Sequence, residues 1–552
     1  MTGWAGHRTL SGMTNDTLPE YVRGLLDPSA YPTPPERVDL IQTHISYVFL
    51  AGDVVYKTKK PVDFGFIEQM SVERRRAFCE AEVRLNARLA PDVYMAVVPV
   101  LRMADGTYQV EPRPAAGMQQ VEVVEWAVKM RRLPDDRTLD RLLAAGALAP
   151  GVLERIVRRL VAFHEHAEVL GSDRADFAGG AAVAAWWARE YGEATVDIHG
   201  TWREDEAAAT NTFFTQTIER QQSLLNARLA EGRVVEGHGD LQAKHVYVLD
   251  DMGEHLAIVD CIEFSDWFQF RYLDAGYDVA FIAMDLEAQG HADLGDELAG
   301  RYIAAAHDET MGVLQPMHRG FRAFVRGKVE SIGARAGELP PEQRAHLADS
   351  ASRYYRLAAD YARRQAPPAL VVLCGLPGTG KSTVGGTLAG RIGAAYLSSD
   401  TVRKQLAGVD PRERVAERDR EGLYAPGMNE RTYEELRRRA AEHLAAGRPV
   451  VLDAMHGRAE ERRAALDVAR AAGVPALIAE LRLSEADALT RIDARASDPN
   501  LTSDATREVY LASVGRFETV GSGEGTHLGL DASQGPAELA REIAEELASL
   551  TA

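Results

Sequence analysis

Hydrophobic and polar positions fall into successive regimes along this chain of 552 residues. Residues 1–34 are polar and dotted with proline. One short helical pattern, at 18–26, reads as an extension that packs on the succeeding domain and carries no site of its own. Apolar stretches at 46–50 and 54–58 flank the turn Ala51-Gly52-Asp53 and predict a β-hairpin. Residues 72–89 repeat at helical spacing, and 93–101, 108–111 and 121–130 read as further strands. The pattern turns helical at 139–166 and 181–228, is interrupted by a strand-like insert at 234–259, and is helical again over 275–364. Phe321, Phe324, Val325, Val329 and Ile332 recur at helical spacing, which core packing explains without a ligand.

The last third alternates strand and helix. Strands are predicted at 370–374, from 395, at 448–454 and at 476–483. Helices are predicted at 384–392, 458–472, 485–495 and 537–550, with a loop at 521–535. That order is the pattern of a parallel sheet covered by helices. The fold class is therefore multidomain, α+β followed by α/β. The expected segments are the extension at 1–34, a mixed domain at 35–335, a helical connector at 336–367 set off by Pro340-Pro341 and Pro367-Pro368, and a parallel-sheet domain at 368–552.

Composition narrows the function classes. A 46% hydrophobic, 26% charged chain is ordinary globular material, and its length calls for more than one core. The net charge of −19 disfavours a dedicated nucleic-acid binder. Cys79, Cys261 and Cys374 are too scattered for a disulfide framework or a zinc site. With no apolar run of spanning length and no secretory h-region at the start, a cytoplasmic enzyme without membrane attachment is expected.

The strongest chemical signal directly follows the strand at 370–374. Gly375-Leu376-Pro377-Gly378-Thr379-Gly380-Lys381-Ser382-Thr383 is the P-loop pattern G-x-x-x-x-G-K-[ST] in strand–loop–helix context. Glycines let backbone N–H groups turn inward around phosphate oxygens, and the helix beginning near Lys381 points its positive end at the same anion. Lys381 is expected on the β/γ-phosphates of ATP and Ser382 on Mg²⁺.

A second signal lies in the insert. His238-Gly239-Asp240 opens a loop that runs to His245, and the apolar run 256–259 delivers Asp260 at its end. Two aspartates so presented suit a base and a metal ligand, or simply form turns. With Glu263 and the run from Asp274 to Asp278 (DAGYD), these residues resemble the aminoglycoside phosphotransferase and choline kinase family, whose fold is bilobal and protein-kinase-like. The resemblance covers most of 35–333. It implies that Asp240 positions or deprotonates the acceptor hydroxyl and that Asp260 holds Mg²⁺. It also implies that Lys57 contacts the α/β-phosphates, that Glu82 (or Glu80) pairs with it, and that 125–128 form the adenine-facing hinge. The alternative for Lys57 is one solvated lysine among several in KTKK.

Two positions depart from the family pattern. His245 stands where the family has a metal-ligating asparagine, as a candidate metal or phosphate contact, although imidazole suits Mg²⁺ poorly. Thr43-His44-Ile45-Ser46 replaces the glycine-rich phosphate loop.

In the last third, the second predicted strand leads into Ser399-Asp400 with Arg403 one helical turn on. Asp400 reads as a base, with Arg403 steadying the acceptor, or as a helix cap beside an exposed arginine. Asp453 ends the third strand, as a carboxylate behind Mg²⁺ or as an acceptor-site residue. Arg491 and Arg495 share a helix face at i,i+4 before the polar stretch 497–506, as a lid over the γ-phosphate or as a solvated face. The block resembles the small P-loop kinases, a group of gluconate kinases, polynucleotide kinases, chloramphenicol phosphotransferase and zeta-type toxins.

The expected function is a fused pair of ATP-dependent phosphotransferases that pass the γ-phosphoryl group to a hydroxyl of a sugar, aminoglycoside or nucleoside. The alternative is a single P-loop kinase, acting on a sugar, a nucleotide or a polynucleotide 5′-hydroxyl, regulated by a degenerate kinase-like binding domain. The acceptors and the oligomeric state are not legible in the sequence.

Overall fold

The computed structural model describes residues 18–63, 67–111, 121–197, 200–264, 270–337, 339–413, 423, 425–496 and 506–551. The chain divides into two compact units, Met1–Gly179 with Leu224–Asp278 and Gly180–Ser223 with Val279–Ala552. Both contain sheet and helix, and the whole is a multidomain α/β protein.

In the first unit the short helix α1 (Glu20–Gly24) precedes β1 (Val38–Gln42), β2 (Ser46–Ala51) and β3 (Val54–Lys59). These are followed by α2 (Val72–Asn86), β4 (Tyr94–Arg102), β5 (Tyr108–Val110) and β6 (Glu122–Arg131). The strands form one antiparallel sheet in the order β1-β2-β3-β6-β4-β5. Side chains alternate across a strand, so β2 feeds two cores. Tyr47, Phe49 and Ala51 pack with Leu18, Val22 and Leu25, which is how the N-terminal helix docks. Val48 and Leu50 pack with Cys79, Tyr247 and Ala257 on the other face. Helix α2 starts where the Ser71 hydroxyl accepts from Arg74 N.

Helices α3 (Leu139–Ala144), α4 (Val152–Glu165) and α5 (Ala175–Ala178) follow. Two further helices, α6 (Gly180–Asp197) and α7 (Glu204–Ala230), lead to the insert. The insert holds β7 (Val234–Glu236), β8 (Val246–Val248), β9 (Leu256–Ile258) and β10 (Tyr272–Asp274), paired as β7 with β10 and β8 with β9.

In the second unit, α8 (Ala275–Ala288), which begins at the division, leads to α9 (Ala292–Ala305), α10 (Met311–Ala334) and α11 (Pro341–Arg364). The P-loop strand β11 (Leu370–Cys374) then enters α12 (Lys381–Ile392). After these come β12 (Ala395–Ser398), α13 (Ser399–Leu406), α14 (Pro426–Ala445), β13 (Val450–Asp453), α15 (Ala459–Ala472) and β14 (Ala476–Arg482). The chain closes with α16 (Glu485–Ala496), α17 (Arg507–Val514), β15 (His527–Asp531) and α18 (Pro536–Thr551). Five parallel strands lie in the order β12-β13-β11-β14-β15, with the fully buried β11 at the centre.

Several elements differ from the sequence reading. The stretch 521–535 is not all loop, because His527–Asp531 pairs with β14 as the fifth strand. Helix α14 was not predicted, although Tyr433, Leu436, Ala440 and Leu444 bury one face at helical spacing. The segment 336–367 is no bare connector either. Its helix α11 buries Ala351, Tyr355, Ala358, Ala359 and Tyr361, and the Tyr361 hydroxyl donates to Glu287 Oε2 at 2.5 Å.

The expected boundary near 335 likewise falls inside one compact unit. Helices α9 and α10 press directly on the P-loop helix α12. A Cβ on Gly300 would overlap the backbone of Thr387, one on Gly386 would overlap Gly300 O, and one on Gly312 would overlap Ala394 O. Asp296 of α9 also joins Arg319 of α10 to Arg391 of α12, each at 2.5 Å. Glu309, between α9 and α10, accepts from Tyr396 N at 2.9 Å with its carbonyl and so covers the outer edge of β12. Its carboxylate takes Arg439 at 3.0 Å and His443 at 2.8 Å, both from α14.

This packing makes two kinds of substitution informative. Gly300→Ala is expected to cost about 1–3 kcal/mol by overpacking, read from the denaturant midpoint, whereas Gly427→Ala, where the new methyl meets open space, is expected to be neutral or slightly stabilising. Burial alone would raise the Glu309 pKa, but His443 and Arg439 outweigh it and the net shift is downward. A depressed folded pKa gives stability that is present above the ordinary carboxylate range and is lost as pH falls through the folded value. Glu309→Gln should therefore destabilise by about 1–2 kcal/mol at pH 7 and by progressively less toward pH 4, leaving a shallower acid limb.

Candidate nucleotide and acceptor sites

At the P-loop, local geometry accounts for the glycines. Gly375 and Gly378 have φ of +145° and +83°. A Cβ at the first would lie 2.6 Å from Leu481 O, and one at the second 2.8 Å from Ala488 O. Only glycine fits this close approach of loop to sheet and helix. Lys381 Nζ donates to Gly375 O and Leu376 O, both at 2.8 Å, and Thr379 Oγ1 donates to Leu376 O at 2.9 Å. Arg491 belongs to this site rather than to a solvated face, since Nη2 donates to Ala532 O at 2.9 Å and Nη1 lies 3.5 Å from Thr379 O. The Arg495 side chain and residues 497–505 lie outside the described residues.

Asp453 has a partner that the sequence reading missed. The Tyr396 hydroxyl, on β12, donates to Asp453 Oδ2 at 2.5 Å. Burial, with the Asp453 carboxylate beside it, drives the Tyr396 pKa well up, so the phenol stays a neutral donor. The Ser382 hydroxyl and the Asp453 carboxylate are oxygen donors of the kind Mg²⁺ takes, so this donor set fits the cation that normally accompanies ATP. Among the described residues no cluster of three His, Cys, Asp or Glu side chains could hold a metal by itself, so phosphates and water would complete the shell. His456 is also buried here. Its Nδ1 donates to Leu373 O at 2.8 Å, and burial pushes its pKa down to about 4, which keeps it neutral.

Asp400 does not cap α13. That position is Ser398, and Asp400 lies in the first turn, 3.5 Å from Lys404 Nζ. Arg403 is buried and donates to Asn429 Oδ1 of α14 at 3.0 Å, so the picture of a cap beside an exposed arginine is replaced. His307 is a further unanticipated neighbour. Held at φ +49°, it bonds the Thr401 hydroxyl at 2.8 Å through Nδ1, and Asp400 ranks among the charges acting on it. Burial pushes its pKa down to about 4. No short-range sequence signal marks Tyr396 or His307, since each acts through residues distant in the chain.

The first unit assembles a second constellation. Lys57 Nζ sits 2.8 Å from Glu82 Oε1 and 3.4 Å from Asp260 Oδ1. Glu82 is the partner rather than Glu80, which is exposed and pairs with Arg76. KTKK is not a solvated run at Lys57 or Lys59: Lys59 is fully buried, 2.5 Å from Glu82 Oε2 and bonded to Glu263. Burial would lower the Lys57 pKa, but Glu82, Asp260 and Glu263 reverse that and hold it well above its usual value. For Glu82, burial pulls upward and the two ammonium groups prevail, so its pKa is depressed.

The catalytic-type loop is braced from below. Asp278, at the end of DAGYD, accepts from His238 N at 2.6 Å, Gly239 N at 2.9 Å and His164 Nε2 at 3.2 Å. Gln242 Nε2 donates to Asp240 Oδ1 at 2.7 Å. His245 Nδ1 bonds Asp240 O at 2.7 Å, and its Nε2 faces Asp260 Oδ2 at 3.7 Å. Asp240, His245, Asp260, Lys57 and Glu82 thus converge.

One expectation needs correction. Residues 125–128 are interior to β6, with 127 and 128 paired to β3 and 125–128 to β4, so their backbone groups are engaged by the sheet and they form no hinge. In the turn that replaces the glycine-rich loop, Thr43 Oγ1 accepts from Ser46 N at 2.9 Å and holds its own turn.

The model of an AAA domain family matches residues 370–520. Among solved structures, a choline/ethanolamine kinase family protein from Mesorhizobium loti aligns over 59% of this chain and 92% of its own, at 13% identity and a TM-score of 0.36. A gluconokinase from Sinorhizobium meliloti aligns over 34% of this chain and 95% of its own, at 22% identity and a TM-score of 0.24. The Mycobacterium tuberculosis APS kinase CysC, in complex with AMPPNP and APS, aligns over 33% and 98%, at 19% identity and a TM-score of 0.25. No helix among the described residues is long and apolar enough to cross a membrane. The uncharacterized proteins Rv2004c of Mycobacterium tuberculosis and Mb2027c of Mycobacterium bovis are each 33% identical over 485 residues, covering 87% of this chain and 90% of theirs. This chain belongs to the family of those uncharacterized mycobacterial proteins.

Proposed function

We propose that the chain is an ATP-dependent phosphotransferase with two nucleotide sites, each passing the γ-phosphoryl group to a hydroxyl of a small molecule such as a sugar, aminoglycoside or nucleoside. The observation that carries the two-site reading is the buried Lys57 held at once by Glu82 and Asp260, in a unit separate from the P-loop. A lysine ammonium buried beside two carboxylates and near a third, Glu263, suits phosphate binding better than it suits stability alone.

In the P-loop unit, the backbone N–H groups around Gly375–Gly380 and the Lys381 ammonium hold the β/γ-phosphates, and Arg491, with Arg495, offsets the charge that develops in transfer. Mg²⁺, when bound with ATP, supplies charge neutralisation, held by Ser382 and Asp453 with Tyr396 steadying the carboxylate. Asp400 accepts the proton of the attacking hydroxyl, and Arg403 shapes the acceptor pocket from behind. In the first unit Asp240 has the proton-accepting role, its carboxylate oriented by Gln242, while Lys57 steadies the α/β-phosphates. The net charge of −19, with no helix among the described residues long and apolar enough to cross a membrane, favours a small acceptor over nucleic acid or a membrane as partner.

A second reading makes the P-loop unit the only kinase and the first unit a ligand-binding regulator. His245 at a metal-binding position favours it, as does the spent Thr43 hydroxyl.

The test is acceptor-dependent ADP release with Mg-ATP over a panel of sugars, aminoglycosides, nucleosides and oligonucleotide ends. It is run on the parent chain, Asp240→Ala and Lys381→Ala. The two-site reading expects each variant to lose a different part of the signal, by roughly a hundredfold or more. Complete loss in Lys381→Ala with no change in Asp240→Ala contradicts it and supports the regulatory reading.

A further inference from the structure

The His245 side chain is fully buried, and its two ring nitrogens have different surroundings. Nδ1 lies 2.7 Å from Asp240 O, and a carbonyl oxygen can only accept, so Nδ1 carries the proton and Nε2 the lone pair. That Nε2 is buried without a hydrogen-bond partner. It faces Asp260 Oδ2 at 3.7 Å, while the other oxygen of the same carboxylate lies 3.4 Å from Lys57 Nζ. A lone pair and a carboxylate oxygen set face to face away from water repel each other, and an unsatisfied buried acceptor is destabilising. A cation between them turns this arrangement into a favourable one. Ligand bonds of about 2.0–2.2 Å to imidazole nitrogen and carboxylate oxygen set two donors on one ion roughly 3–4 Å apart. The observed separation lies in that range.

The donor set also says which cations fit. Mg²⁺ requires a near-regular shell of oxygens and gives up water reluctantly, so a neutral imidazole is a poor ligand for it. First-row divalent ions from Mn²⁺ to Zn²⁺ accept mixed nitrogen and oxygen donors, with imidazole affinity rising along the series. The Nδ1–H bond to a backbone carbonyl is the outer contact that fixes the tautomer of a metal-binding histidine.

We infer that the first unit selects a first-row transition-series divalent cation over Mg²⁺, with His245 Nε2 and Asp260 as its protein ligands and nucleotide phosphates and water completing the shell. This rests on reading that unit as a nucleotide site. The chain would then carry two nucleotide sites with different metal preferences, an all-oxygen one at Ser382 and Asp453 and a mixed one at His245 and Asp260.

The experiment uses the full chain with Lys381→Ala, which disables the P-loop, saturated with the non-hydrolysable analogue AMP-PNP. Mn²⁺ is the probe, followed by electron paramagnetic resonance in competition with Mg²⁺. Analogue binding is measured on the same samples by equilibrium dialysis. Bound Mn²⁺ is expected to show ¹⁴N spin-echo modulation from a directly coordinated imidazole and to resist excess Mg²⁺. His245→Asn, which offers an amide oxygen in place of the nitrogen, is expected to retain the analogue, lose the modulation and lower the Mn²⁺-over-Mg²⁺ preference by about 10-fold or more. Analogue bound with no nitrogen modulation, or an unchanged preference in His245→Asn, overturns the cation inference alone. No analogue bound to the Lys381→Ala chain overturns the first-site reading and the inference with it.

Discussion

Two lysine ammonium groups cannot stay buried unless carboxylates meet them, and that requirement organises the first unit. Lys57 and Lys59 point to the same side of β3 because side chains two apart share a face. Glu82 rises from α2 to touch both, while Asp260 and Glu263 arrive from the segment after β9, some 200 positions later in the chain. One network therefore ties strand, helix and loop together and fixes the reactive end of Lys57 beside Asp260. Removing one partner would strand a buried charge at a cost of about 3–5 kcal/mol. Replacing the whole set by apolar groups would cost far less, so pairing geometry, rather than stability, explains why charges stand here.

The P-loop unit solves a different problem with backbone. Its anion cradle needs a turn pressed against Leu481 O and Ala488 O, which glycine alone allows, and the central position of β11 holds both ends of that turn. Helices α9 and α10 are part of this solution. Their glycines let α12 approach to backbone contact, and Glu309 covers the exposed edge of β12. His307 then reaches Thr401 beside Asp400. The corner of the P-loop domain around Asp400 and Thr401 is thus walled partly by a segment that precedes it by about ninety residues.

Legibility followed the range of the interactions. The P-loop could be read outright because strand, glycines, lysine and hydroxyl are contiguous and each constrains its neighbour. The hairpin and α2 were readable from period alone. Lys59 and Glu263 were not, since a lysine in KTKK looks solvated until a distant carboxylate is known to meet it. Tyr396 lay hidden inside a four-residue strand whose apolar pattern gave no hint that its hydroxyl reaches Asp453. The hinge expectation at 125–128 came from the resemblance alone and clashed with the strand already read at 121–130, which the structure places at Glu122–Arg131. β15 escaped because Gly529 interrupts an already short alternation.

The two nucleotide sites proposed for this chain, built on the unrelated plans of a buried lysine–carboxylate network and a glycine cradle, can be counted directly. Equilibrium dialysis of AMP-PNP against the parent chain, with Mn²⁺ present so that neither donor set is disfavoured, does so. Two molecules bound per chain at saturation are expected, falling to one in Lys57→Ala and to one in Lys381→Ala. A single molecule per chain, abolished by Lys381→Ala and untouched by Lys57→Ala, would contradict the two-site architecture.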